Sequence, residues 1–137
     1  IDPGDHFSSN PDFVDSWPPH GVAGTDEAEI HPAVAEIPVD AHVKKGQYAA
    51  AYSGFEGTTK GGSSLETILR DHRIEAVDVV GLALSHCVKD TALDAQHLGF
   101  TTTCLTDLSE PVSLESGEAA VAAMEDAGVT VTTSSQL

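Results

Sequence analysis

The sequence predicts an α/β fold built on a parallel sheet. Apolar runs typical of strands alternate with helical patterns over the second half of the chain, an order produced by parallel strands joined through crossover helices. The clearest unit begins at Val77, where an almost unbroken apolar run to Leu84 indicates a strand buried on both faces. Small residues then recur at helical spacing from Val88 to Gly99, which ends the helix.

Residues 1–38 are predicted to be irregular, because Pro, Gly, Asp and Asn recur in IDPGDHF, NPDF, WPPHG and IHPAV. A stretch of this length is uncommon in a compact domain unless it is functional or disordered. It holds the single tryptophan, Trp17, and the histidines His6, His20 and His31. These histidines could bind a metal ion, or they could form ordinary hydrogen bonds with the backbone. Their spacing does not decide between the two interpretations.

The segment that follows is predicted to form a short strand from Pro38 to Val43 and then a glycine-rich loop, KKGQYAAAYSGFEG. The aromatic residues of this loop are suited to wall a pocket for a flat ring. The alternative is that they belong to the core and that the two lysines are solvated. Ser63 and Glu66 form a capping-box pattern for a helix extending to Arg73.

Cys87 is predicted to lie where a central strand becomes the first turn of a helix. Catalytic groups of open α/β sheets collect outside the carboxyl ends of strands, and the N–H groups of a helix N-terminus favour a thiolate. Cys87 is therefore a candidate nucleophile, and the alternative is a small buried side chain. Cys104, inside the strand pattern TTTCLTDL, is predicted to be a core residue.

Three further elements complete the pattern. They are a strand from Thr101 to Asp107, an alanine-rich helix from Glu118 to Ala127 ended by Gly128, and a last strand from Val129 to Thr133. We expect a single domain over residues 1–137, which is long enough to bury a core.

Charge and composition argue against several functions. The chain has 22 acidic and 6 basic residues, a formal charge of -16, which argues against binding to a nucleic-acid backbone and fits a small ligand. No apolar stretch is long enough to cross a membrane and no secretory leader is visible, so we expect a cytoplasmic protein. The two cysteines lie in different contexts, and we expect no disulfide.

Four motifs resemble those of one family. HFSSNPDF, SWPPHG, KKGQYAAAYSGFEG and VDVVGLALSHCVKDTALDAQHLGF are similar, in order and spacing, to motifs of the nicotinamidase/pyrazinamidase group of isochorismatase-like cysteine hydrolases. The similarity extends from Ile1 to about Ser134. It implies a three-layer α/β/α sandwich around a parallel sheet. It also implies hydrolysis of nicotinamide, and of pyrazinamide, to the acid and ammonia through a cysteine thioester, a reaction of NAD salvage.

The resemblance implies roles for individual residues. The catalytic cysteine and lysine of the family fall on Cys87 and Lys45. Its oxyanion-hole donors fall on the backbone N–H groups of Ala83 and Cys87, and its cis peptide falls on the bond between Leu82 and Ala83. The substrate-binding positions fall on Trp17, Tyr52 and His86.

The resemblance also implies a divalent metal ion (zinc, iron or manganese), bound by His20 of WPPH and, in some members, by His6 of DPGDHF. The triad aspartate, an Asp-x-His ligand pair and one pocket aromatic of the family precede the segment that IDPGDHF resembles. We therefore expect this chain to lack them, together with the leading strands of the sheet, and to show little turnover alone.

The sequence departs from the family pattern at three further places, and two alternatives to a nicotinamidase remain open. Ser85 stands where an Asp is usual, Gly21 where a Cys is usual, and TDEAEIHP replaces a turn richer in Gly and Pro. One alternative is a truncated, non-catalytic binding module that forms a homo-oligomer through exposed sheet edges. The other is a related cysteine hydrolase with a different amide substrate.

Overall fold

The computed structural model describes residue 11 and residues 17–22, 24–46 and 51–137. Its regular elements alternate in the predicted order along the second half of the chain. The helices are α1 (Pro32–Ala35), α2 (Leu65–Asp71), α3 (Lys89–His97) and α4 (Leu114–Asp126), and the strands are β1 (Ala76–Leu82), β2 (Thr101–Glu110) and β3 (Thr130–Thr132). Short 3-10 turns lie at Asp26–Ala28, Gly54–Glu56 and Ser134–Gln136, and a π-helical turn at Leu84–Val88 joins β1 to α3.

The three strands form a parallel sheet in the order β1-β2-β3. Val79 of β1 lies opposite Cys104 of β2, and the register then shifts so that Gly81 faces Ser109. The α/β class and the parallel sheet predicted from the sequence are confirmed. The carboxyl end of β1 is followed directly by the π-helical turn that contains Cys87.

The core lies between the sheet and the helices α3 and α4. Small side chains let the two helices approach the strands closely, and Met124 fills the space between them without exposure to solvent. The cluster consists of Leu84, Val88, Ala92, Cys104, Ala120, Met124 and Val129. Both helices end as predicted, at Gly99 and Gly128, whose φ angles of +95° favour glycine.

β1 differs from the prediction of a central strand buried on both faces. It pairs only with β2 among the strands of the described residues, so it is their edge strand. Alternate residues face the core, and on the opposite face Val80 and Leu82 are 48% and 74% exposed. The apolar run identified a strand correctly, but burial of its second face depends on neighbours that a local pattern does not specify.

Two predictions of local structure in the first half are wrong. Residues 38–43 form no strand, and Lys44 instead makes an isolated antiparallel bridge with Thr58. The N-cap of α2 is Ser64 rather than Ser63, because the Ser64 hydroxyl accepts the N–H of Thr67. Glu66 forms an ion pair with Arg70 instead of completing a capping box.

Candidate active site

Cys87 lies at the junction of β1 and α3, where the sequence predicted it. The peptide bond between Leu82 and Ala83 is cis, at the position that the resemblance implies. The carbonyl oxygen of Ala83 accepts the N–H groups of His86 and Val88 at 3.1 Å each, which closes the π-helical turn. Cys87 is partly exposed within this turn, in contrast to a core cysteine.

The ammonium group of Lys45 contacts the sulfur of Cys87. Lys45 Nζ is 3.2 Å from Cys87 Sγ and 3.4 Å from the carbonyl oxygen of Ala51. The backbone that carries the lysine is fixed by its neighbour Lys44, which exchanges two hydrogen bonds with Thr58 at 2.9 and 3.1 Å. This contact places a half-buried amine directly beside the sulfur, where a positive charge opposes any negative charge that develops during nucleophilic attack.

Three aromatic side chains from distant segments meet beside Cys87. The edge of the Trp17 ring packs against His86 with 5.4 Å between ring centroids, and Tyr52 lies 5.2 Å from His86 on a tilted ring plane. Trp17 Nε1 donates a hydrogen bond of 2.9 Å to the Tyr52 hydroxyl. These contacts form one continuous wall that is suited to a flat ring.

The loop that carries Tyr52 is held at both ends. The Glu56 carboxylate accepts the N–H groups of Tyr52 and Ser53 at 3.1 and 3.0 Å. The Gly54 N–H donates to the Thr91 hydroxyl of α3 at 2.8 Å. Because α3 follows directly from the turn of Cys87, this bond fixes the aromatic wall relative to the sulfur.

The wall and the sulfur enclose a cavity of about 630 Å³. Its lining includes Trp17, Tyr52, His86, Cys87, Ala83 and His20. A larger groove of about 760 Å³ runs between α4 and the last 3-10 turn, but its lining holds no cysteine, lysine or histidine. The smaller cavity is therefore the candidate active site, because its lining combines an aromatic wall with a cysteine whose sulfur contacts a lysine.

The model of the isochorismatase domain matches residues 4–136. The chain belongs to the isochorismatase family. It is 47% identical over 135 residues to the nicotinamidase/pyrazinamidase of Mycobacterium tuberculosis, an alignment that covers 98% of this chain and 73% of that protein.

Solved structures of family members superpose on the chain. PnC1 from L. infantum, in complex with nicotinate, is 32% identical with a TM-score of 0.75, and the superposition covers 96% of this chain and 68% of that one. A Pyrococcus horikoshii pyrazinamidase in complex with zinc is 31% identical with a TM-score of 0.67, covering 85% and 63%. The chain spans only about half the length of four further nicotinamidases that it matches.

His20 is the described residue that the family pattern assigns to a metal. Its Nδ1 lies 2.8 Å from the carbonyl oxygen of Pro18. Because a carbonyl only accepts, Nδ1 carries the proton and the lone pair of the neutral ring is on Nε2, which is the arrangement of many metal-binding histidines. In the described residues, however, no three His, Cys, Asp or Glu side chains converge into a metal site. His6 lies outside them, so the described residues alone do not complete such a site.

Cys104 serves as an internal comparison for Cys87. It is fully buried in the core, and burial raises its pKa to about 11. Its prediction as a core residue is confirmed. The buried thiol of Cys104 is expected to be unreactive at neutral pH, whereas partial exposure and the lysine contact distinguish Cys87.

Several residues at the site were not found by sequence reasoning. Leu82 and Val112 line the cavity, although neither carries a chemical signature. The capping box formed by Ser53 and Glu56 was also missed, and its Ser-x-x-Glu spacing was the available signal. The contact of Thr91 with the loop had no signal, because it joins residues 37 positions apart.

Proposed function

We propose that the protein hydrolyses nicotinamide, and pyrazinamide, to the corresponding acid and ammonia, as a step of NAD salvage. The observation that carries the proposal is the 3.2 Å contact between Lys45 and Cys87 at one end of an aromatic-walled cavity. The nicotinamidases and pyrazinamidases among its relatives support the same substrate class. The pyridine ring would lie against Trp17, Tyr52 and His86, with its carboxamide directed towards the sulfur.

The proposed reaction begins with attack of the Cys87 thiolate on the carboxamide carbon. A C–S bond forms and the carbonyl oxygen becomes an oxyanion, which the N–H groups of Ala83 and Cys87 stabilise, each donor contributing about 2.7–4 kcal/mol. Collapse of this intermediate breaks the C–N bond, and the NH2 group takes up the proton that the Cys87 thiol gave up, so that it leaves as ammonia. Water then hydrolyses the thioester, which releases the acid and restores the thiol.

We propose that Lys45 stabilises the negative charge of the Cys87 sulfur and does not itself transfer a proton. Its side-chain nitrogen already contacts the sulfur, so it lies where it opposes the negative charge of the attacking group. In the family pattern, proton transfer belongs to an aspartate rather than to the lysine.

We also propose that His20 is one ligand of a divalent metal ion and that His6 is a second. The proton on Nδ1 of His20, which leaves the lone pair on Nε2, supports this assignment. The zinc complex of the Pyrococcus horikoshii relative supports a divalent ion in the family. Bound there, such an ion would supply a Lewis-acidic partner for the pyridine nitrogen.

Substitution of Cys87 tests the proposed function. Cys87→Ala should reduce ammonia and nicotinate release from nicotinamide by a factor on the order of 10³–10⁶, because the nucleophile is lost. Cys104→Ala is the matched control, since this cysteine lies in the core away from the cavity, and it should retain the wild-type kcat. Equal turnover by wild type and Cys87→Ala would contradict the mechanism.

A second readout does not require complete turnover. Pyridine-3-carbaldehyde should add reversibly to the Cys87 thiolate and protect it from alkylation by iodoacetamide, measured by intact mass. Benzaldehyde, which lacks the ring nitrogen, should protect less. Equal protection by both aldehydes would argue for a related cysteine hydrolase with a different amide substrate.

A further inference from the structure

We infer that Ser85 is a positioning residue of the cavity: its hydroxyl donates its proton to Nδ1 of His86 and holds that histidine as the Nε2–H tautomer. Ser85 lies between the turn residues Ala83 and Cys87, and it stands where the family pattern has an aspartate. The inference concerns this chain's own serine, and its functional consequence rests on the proposed function.

The hydrogen bonds of Ser85 assign the direction of its proton. Ser85 is 4% exposed, and its Oγ lies 2.9 Å from His86 Nδ1 and 3.1 Å from the backbone N of Val112. The Val112 N–H only donates, so it occupies a lone pair of the serine oxygen. In the part of the chain that the structure describes, His86 Nδ1 is the partner of this oxygen that is able to accept the hydroxyl proton. If His86 Nδ1 instead donated its proton to Ser85 Oγ, the buried hydroxyl would be left without an acceptor. That loss would cost about 1–3 kcal/mol, so donation from the serine is favoured.

The direction of this bond determines the chemistry of the His86 ring. When Nδ1 accepts a proton from serine, the neutral imidazole carries its own proton on Nε2. Nε2 is then a donor, and the ring is held by Ser85 at one edge while Trp17 and Tyr52 pack against it. Ser85 also connects the cavity wall to Val112, which follows β2 and lines the same cavity.

An aspartate at position 85 would reverse this arrangement. A carboxylate has no proton to donate, so it accepts the Nδ1–H and places the lone pair of a neutral ring on Nε2. Ser85→Asp is therefore predicted to convert neutral His86 from the Nε2–H form to the Nδ1–H form. This exchange makes residue 85 the determinant of whether His86 presents a donor or an acceptor.

The test reads the tautomer directly, by long-range ¹H–¹⁵N spectra of the histidine rings in ¹⁵N-labelled full chain at a pH where His86 is neutral. The His86 signals are assigned by their loss in His86→Gln. Wild type should show a pyridine-like Nδ1 and a pyrrole-like Nε2. Ser85→Thr should keep that pattern, and Ser85→Ala should give a mixture of tautomers. Ser109→Ala is the matched control, because its hydroxyl bonds to the Leu105 carbonyl and should leave His86 unchanged.

A pyrrole-like Nδ1 in the wild-type spectrum would overturn the inference, even where a Ser85 variant fails to fold. An unchanged tautomer in folded Ser85→Ala would also overturn it. The spectra are recorded without substrate, so they give an answer whether or not nicotinamide is hydrolysed. In active protein, Ser85→Ala should raise the KM for nicotinamide about tenfold with a smaller change in kcat, and Ser85→Thr should restore the KM.

Discussion

At the scale of single residues, the contact of Lys45 with Cys87 distinguishes the roles of two lysines that are adjacent in the sequence. Lys45 is half-buried and its Nζ reaches the sulfur at 3.2 Å, whereas Lys44 is exposed and contributes its backbone to the bridge with Thr58. Adjacent residues in an extended segment point in opposite directions, so only one of the pair can face the cysteine.

Replacement of each lysine provides a matched comparison. Lys45→Met should slow alkylation of Cys87 at neutral pH by about tenfold, because the amine that contacts the reacting sulfur and opposes its negative charge is lost. Lys44→Met, which removes the neighbouring charge, should leave the rate within about twofold. The rates are measured with iodoacetamide and intact mass, since buried Cys104 does not react. Equal rates for the two variants would remove Lys45 from its proposed role.

At the scale of elements, the bridge between Lys44 and Thr58 positions the lysine, and Gly57 permits that bridge. A Cβ on Gly57 would lie 2.7 Å from the Lys44 carbonyl oxygen and 2.9 Å from Val43 Cγ1. Its φ of −95° is accessible to any residue, so the requirement for glycine comes from close approach of the two backbones. In place of the strand predicted from Pro38 to Val43, the structure has one isolated backbone bridge between Lys44 and Thr58.

Gly57→Ala should push Lys44 away and shift Lys45 from the sulfur. We expect the free energy of unfolding to fall by about 1–3 kcal/mol, as for other overpacked sites, and Cys87 alkylation to slow. Gly61→Ala is the control, because the nearest atom to its added Cβ would be Thr59 Oγ1 at 3.8 Å. Urea unfolding and alkylation rates measure the two effects. A Gly57→Ala protein with wild-type values for both would contradict this account of the bridge.

At the scale of the whole molecule, Asp107 ties the last 3-10 turn to the end of β2. Its carboxylate accepts the Ser134 N–H at 2.8 Å and the Ser134 hydroxyl at 2.6 Å. These hydrogen bonds lower the pKa of Asp107 below its ordinary value. The described residues contain no helix that is long and apolar enough to cross a membrane.

The depressed pKa of Asp107 predicts a dependence of stability on pH. The carboxylate is favoured in the folded state, so its contribution is present above the unfolded pKa, near 3.8, and is lost as pH falls through the folded value. Asp107→Asn should therefore weaken the loss of stability on acidification, measured as Tm between pH 6 and pH 3. Asp71→Asn, at an exposed position in α2, should keep the wild-type slope. Parallel Tm curves for Asp107→Asn and wild type would refute the prediction.

Errors in the predicted elements have a common physical origin. The apolar run of β1 indicated a strand, but it did not distinguish a central strand from one at the edge of the described sheet. Ser63 fits the Ser-x-x-Glu pattern of an N-cap, but the next residue is also a serine. Ser64 is the N-cap of α2, because its hydroxyl oxygen accepts the N–H of Thr67. Local patterns specify the type of an element more strongly than its neighbours or its ends.

The sequence by itself determined the α/β order, the position of Cys87 after a strand and the burial of Cys104, because each follows from local periodicity. Resemblance to the family indicated Lys45, Trp17, Tyr52 and His86, but not their distances. Only the tertiary structure decided that Lys45 reaches a sulfur 42 residues away and that Ser85 bonds both Val112 and His86. These contacts join segments that local periodicity treats as independent, and packing of the loops against the turn after β1 brings them together.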